Sequence, residues 1–209
     1  MKRIVLFIIA ILLIFSGCGE NKNLGFDISS GVHSFDPQLA KSDSELIIIK
    51  NCFQGLLDKD ENGTLIPGIA KSYDISENGL EYTFHIKEDL FWNDGETPLK
   101  AKDFVFGFER LFSPETSAPS RSDFYNIVNS EDIANGKKGL KLGVTAINDL
   151  TLKITLEHED PLFSDLLTNA AAMPCNKDFF ESTKGRYGLG LSYTLFNGAY
   201  YVRRINNSS

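Results

Sequence analysis

Three histidines, His33, His85 and His158, are the first candidates for metal binding or proton transfer, and their spacing supports neither. None has a Cys, Asp or Glu at ligand spacing on a shared helix, so no metal site is expected. Cys52 and Cys175 sit in apolar surroundings without metal-ligand spacing. Buried free thiols are expected there rather than a bridge. No Gly-x-Ser-x-Gly elbow occurs, which excludes a serine hydrolase of that design. The run Gly185-Arg186-Tyr187-Gly188-Leu189-Gly190 has glycines enough for a phosphate cradle. It follows a helix-like stretch and lacks a Lys-Ser/Thr ending, so a surface loop is expected. Among the 28 Asp and Glu residues, none lies in an apolar setting that would raise its pKa. The sequence therefore predicts no enzyme and no cofactor.

The N-terminus carries a different kind of chemistry. Lys2 and Arg3 precede an unbroken apolar run of 12 residues from Ile4 to Phe15, then Ser16, Gly17 and Cys18. A span of the hydrocarbon core needs about 20 apolar residues, whereas the core of an export signal needs about 7–15. The Phe-Ser-Gly-Cys ending resembles the lipobox of bacterial lipoproteins, with Phe15 where leucine is usual. The resemblance implies removal of residues 1–17 and acylation (palmitate among the chains) of Cys18. An ordinary secretory signal with an incidental cysteine is the other reading. Residues 18–24 would then be a polar tether, and the expected location is the extracytoplasmic face of the cell membrane, lipid-anchored. Without the first 17 residues, 192 remain, with 19 Lys and Arg against 28 Asp and Glu, a balance of −9. Such an acidic chain is not expected to bind nucleic acid, because phosphate contacts need clustered cations.

The body must be built from mixed elements. Gly25 to Ser29 is a short strand candidate. Ser42 with Glu45 three residues later forms a capping box, opening a helix with Leu46, Ile49, Phe53 and Leu56 at helical spacing. Ser72–Ile75 and Glu81–Ile86 read as a hairpin across Asn78-Gly79, with Tyr82, Phe84 and Ile86 sharing one face. Phe91 and Trp92 are expected in the core. A helix from Ala101 to Leu111 turns Phe104, Phe108 and Leu111 inward. Weak helices follow at Asp123–Val128 and Ser130–Ala134. Gly143–Ile147 and Leu150–Leu156 form a second hairpin across Asn148-Asp149. Pro161 opens a short helix with Phe163, Leu166 and Leu167, a further helix runs near Asn176–Ser182, and a terminal strand is expected at Ala199–Val202. Hairpins with helices between them make a mixed-sheet α/β class rather than a βαβ alternation.

The text from Pro67 to Arg110, PGIAKSYDISENGLEYTFHIKEDLFWNDGETPLKAKDFVFGFER, closely resembles the signature of the family 5 extracytoplasmic solute-binding proteins. These are the peptide-binding components of ABC importers. Phe35-Asp36-Pro37, Phe53-x-Gly55-Leu56, Gly143-Val144-x-Ala146, Pro161-Leu162-Phe163 and Asn197-Gly198-x-Tyr200 match too, more as in the oligopeptide-binding branch. The resemblance implies a periplasmic-binding-protein-like fold, of which residues 25–205 would be the first lobe. Family members are longer by a second lobe, so a truncated product is expected, with 206–209 a tail. It also implies an oligopeptide ligand and the permease subunits of an ABC importer as partners. By position, the family's backbone-binding segment corresponds to Lys41, Ser42 and Asp43, where a helix N-terminus and its cap explain Ser42 equally well. Phe124 and Tyr125 fall where the family builds an aromatic cleft wall, and for both a core position is the alternative. The sequence departs from the pattern at Lys100, where Thr or Ser usually caps the helix; loss of that cap should cost about 1 kcal/mol. A surface lipoprotein that keeps only the scaffold, without binding, is the alternative function.

Overall fold

The computed structural model describes residues 31–205. Cys18, the tether, the Gly25–Ser29 strand and the tail lie outside the described residues.

Helix α1 (Asp43–Cys52) is followed by a two-stranded antiparallel ribbon, β1 (Leu57–Lys59) and β2 (Leu65–Pro67). The main sheet has four antiparallel strands: β3 (Ala70–Ile75), β4 (Glu81–Ile86), β5 (Val144–Asn148) and β6 (Thr151–Thr155). Their spatial order is β3-β4-β6-β5. The two predicted hairpins thus meet through β4 and β6, where Phe84 stands opposite Leu152 and Tyr82 opposite Ile154. Both edge strands carry irregular register, β3 between Ala70 and Ser72 and β5 between Ala146 and Asn148. Such bulges twist an edge away from further pairing.

Helix α2 (Ala101–Phe112) covers one face of this sheet. Alternation along β4 and β6 turns Tyr82, Phe84, Ile86, Leu152 and Ile154 inward, and Phe104, Phe108 and Leu111 of α2 meet them in the core. At the Lys100 N-cap there is no side-chain cap. The expected loss is offset, because Ala101 donates its amide to the Asp149 carbonyl of the β5–β6 turn (2.8 Å) and Lys100 donates its amide to the Asp103 carboxylate (3.0 Å).

Several expectations shift. Phe53 and Leu56 are buried but lie beyond the end of α1. Trp92 is buried, whereas Phe91 is 50% exposed because its backbone pairs with Pro98 and turns the ring outward. The Asp123–Val128 helix is a 3-10 turn at Arg121–Phe124, after which Ile127 pairs with Leu156 and pulls the backbone straight. Residues 199–202 form no strand, as no segment among the described residues pairs with them. The remaining helices, α3 (Ser130–Ala134), α4 (Phe163–Leu166) and α5 (Lys177–Ser182), stand near their predicted places. Cys52 and Cys175 are buried free thiols.

The Asp36-Pro37 turn is joined to α2 by a buried ion pair. Arg110 Nη1 donates to Asp36 Oδ1 (3.1 Å) and to Gln38 Oε1 (2.6 Å), and Nη2 donates to Asp36 Oδ2. Both side chains are almost wholly buried. The guanidinium also lies 4.4 Å from the Phe180 ring centroid and 5.0 Å from that of Tyr187. Burial disfavours the charge on Arg110, but its hydrogen bonds to Asp36 more than compensate and raise its pKa. Asp36→Leu or Arg110→Met alone should cost about 3–5 kcal/mol, because each leaves one charge buried and unpaired. The double replacement should cost less than either single one. Urea unfolding followed by the fluorescence of Trp92, the sole tryptophan, measures this; additive losses would show that the two residues do not act as a pair.

Candidate functional site

The segment from His33 to Glu45 is held both by local hydrogen bonds and by bonds to distant parts of the chain. Ser34 Oγ accepts the Asp36 amide (3.0 Å), and Asp36 accepts the amides of Gln38 and Leu39, with its carboxylate and its carbonyl respectively. Gln38 Nε2 reaches across to the carbonyls of Met173 (2.9 Å) and Ala171 (3.3 Å). Phe35 donates its amide to the Gly188 carbonyl. Gly188 has φ +76°, and a Cβ there would lie 2.7 Å from the Asp36 amide nitrogen, so both conformation and space require glycine.

At the end of this segment the capping box forms as expected. Ser42 Oγ accepts the Glu45 amide (3.3 Å), and Glu45 Oε2 accepts the amides of Ser42 (3.2 Å) and Lys41 (3.1 Å). Glu45 Oε1 accepts a third amide, that of His33 (3.2 Å). Burial raises the pKa of Glu45, but the amides of Lys41, Ser42 and His33 outweigh it, and the net shift is downward. The sequence reading of Glu45 stopped at the cap; the reach back to His33, twelve positions earlier, has no local signal. Lys41 and Asp43 are exposed, and Ser42 is half-buried.

Phe124 does not reach any surface. It is fully buried, its ring edge-on to Phe108 at 6.0 Å, and it belongs to the core. A cleft wall needs an accessible ring, so the predicted site residue Phe124 is corrected to a packing residue. Tyr125 is half-buried, 6.5 Å from the Phe112 ring. It is held by α2, whereas Lys41, Ser42 and Asp43 are held by α1 and its cap. Among the described residues, one shallow groove of about 260 Å³ lies beside β2 and β3, lined by Leu65, Ile66 and Tyr73, and another of about 490 Å³ lies beside Lys137 and Lys141. Neither contains a predicted ligand residue.

The expectation that no carboxylate sits in an apolar setting is overturned at Asp103. It is 1% exposed and its pKa is raised to about 6, chiefly by burial, against the opposing hydrogen bonds from the Lys100 amide and Trp92 Nε1. Asn176 Nδ2 also donates to it. A carboxyl titrating near neutrality would suit acid–base chemistry, but this one is sealed beneath Trp92 and serves to join α2 to the start of α5. No group of His, Cys, Asp and Glu among the described residues could hold a metal ion.

Comparison with known proteins settles the class. The profile of the bacterial extracellular solute-binding proteins, family 5 (middle), matches residues 64–209. The chain belongs to this family. It is 35% identical to the periplasmic oligopeptide-binding protein OppA of Escherichia coli, over 88% of this chain and 34% of that one. It is 30% identical to a dipeptide-binding protein of Lactococcus lactis, over 91% of this chain and 36% of the relative. Its fold superposes on peptide-bound OppA of Listeria monocytogenes with a TM-score of 0.78 at 29% identity, covering 82% of this chain and 34% of that structure. The chain thus spans about a third of the length of these relatives, as one lobe of a periplasmic-binding-protein-like fold would. No described helix is long and apolar enough to cross a membrane.

The raised Asp103 pKa has a definite sign. A carboxyl whose pKa lies above its ordinary value near 3.8 favours the folded state more as it takes up a proton. Its contribution should therefore grow as pH falls from 7 through 6 and level off below about 4. Carbon-detected NMR should place the Asp103 midpoint near 6, and Asp103→Asn should remove this part of the pH dependence of unfolding. A midpoint near 4 would contradict the burial argument.

Proposed function

We propose that this chain is part of an extracytoplasmic, lipid-anchored receptor that binds oligopeptides and delivers them to the permease of an ABC importer. Membership in the family supports the transport role, and the names of its relatives, oligopeptide- and dipeptide-binding proteins, support the ligand class. The observation that carries the reading is the His33–Glu45 segment. It places exposed Lys41 and Asp43 on a backbone fixed from within, which suits recognition of a peptide's main chain irrespective of its side chains. Tyr125 would add an aromatic surface from a second element. The whole receptor would use further surfaces from the longer fold that its relatives have, and this lobe alone should bind weakly.

Calorimetry and thermal-shift measurements with a pool of short peptides test the reading. Measurable heat and a rise in Tm are expected, and their absence at millimolar peptide would favour a scaffold that no longer binds. The anchor is tested separately. Cys18→Ser should abolish labelling by a palmitate analogue and release the protein from the membrane fraction. Unchanged labelling in that variant would rule out Cys18 as the acylated residue.

A further inference from the structure

A capping-box glutamate ordinarily returns to the N-cap amide alone. Glu45 takes three backbone amides, those of Ser42, Lys41 and His33, with both of its oxygens engaged. Its side chain is buried, the residue being only 5% exposed, so it is not a surface a ligand would meet. Any influence on binding must pass through the backbone that it holds.

We propose that Glu45 is a positioning residue for the peptide-binding segment, fixing the main chain of Lys41 and Ser42 against that of His33 before a peptide arrives. This rests on the peptide reading above. Two consequences separate the role from simple helix capping. First, the amides of Lys41 and Ser42 are already satisfied by a charged acceptor, and the Ser42 carbonyl accepts the Leu46 amide within α1, so these groups are withheld from a ligand. The hydrogen bonds offered to a peptide are therefore selected by Glu45. Second, the His33 contact closes a loop around the Asp36-Pro37 turn, whose other end is held by Arg110 and Gln38. A segment fixed at both ends loses little conformational freedom on binding, and this preorganisation favours affinity.

The test uses amide NMR of the full chain with trialanine as the probe. Glu45→Gln keeps the shape of the side chain but leaves one acceptor oxygen where there were two, and turns an NH2 group toward amides that also donate. The His33, Lys41 and Ser42 amides should then exchange faster with solvent, while the amides of residues 47–52 stay protected and show that α1 is intact. Trialanine should perturb Lys41, Ser42 and Asp43 in the wild type and bind about tenfold more weakly to the variant. Equal affinity would overturn the positioning role and leave the peptide reading standing. If Glu45→Gln unfolds α1, Glu45→Asp, which keeps the charge on a shorter arm, replaces it with the same readouts. No perturbation of the wild type by trialanine would overturn the peptide reading itself, and the positioning role with it.

Discussion

The contact between Arg110 and Asp36 organises this lobe, because it ties the Asp-Pro turn to α2 at the point where the C-terminal loops also converge. Burying a guanidinium is costly unless its charge and most of its hydrogen-bond donors find partners, and for Arg110 both terminal nitrogens do while Nε does not. Asp36 supplies the charge, Gln38 a further acceptor, and the rings of Phe180 and Tyr187 a favourable face. These partners come from three parts of the chain: Asp36 and Gln38 from the Asp-Pro turn, Phe180 from α5 and Tyr187 from the loop after it. Satisfying Arg110 therefore requires the N-terminal segment and the C-terminal loops to converge on α2. A buried pair of this kind adds little net stability, since desolvation offsets much of the attraction. Its effect is to make alternative packings expensive.

Helix α2 consequently has two buried stripes rather than one. Phe104, Phe108 and Leu111 face the sheet. Asp103, Gly107 and Arg110, also spaced by four and three, face the stretch from Met173 to Asn176. There the Cys175 amide donates to the Asp103 carbonyl, and a Cβ on Gly107 would lie 2.6 Å from the Met173 carbonyl oxygen. Glycine is needed at 107 for close approach, not for an unusual conformation. The polar ends of this second stripe are where the helix is coupled to the rest of the lobe.

This second stripe also shows how far the sequence could be read. The strands were legible because β4 and β6 alternate strictly and one of their faces is core. The first face of α2 was legible for the equivalent reason at helical spacing. Asp103 and Arg110 stand in the first and last turns of α2, where charges ordinarily face solvent and the dipole, so nothing local marks them as buried. Their partners, Asn176 and Asp36, are 73 and 74 positions away, beyond the range of any periodicity. Phe124 failed for a related reason: an aromatic residue in a short, weakly patterned helical turn gives no sign of whether its ring faces a cleft or a core. Ser42 and Glu45 were legible as a cap because that motif is local, and the His33 contact was not because it is not.

The same constraint bears on how the lobe could serve a ligand of variable sequence. A receptor tolerant of side chains must take its affinity from main-chain hydrogen bonds, and those are effective only from a backbone that does not need to be ordered first. In this lobe the order is imposed from both directions, by Arg110 and Gln38 on the Asp-Pro turn and by Glu45 on the start of α1. In the proposed receptor these buried charges act on the backbone of the segment from within and are not themselves met by the ligand. On the proposed reading, broad specificity follows from this division. The charges that shape the segment are buried, and its exposed residues, Lys41 and Asp43, carry opposite charges that together favour neither acidic nor basic side chains.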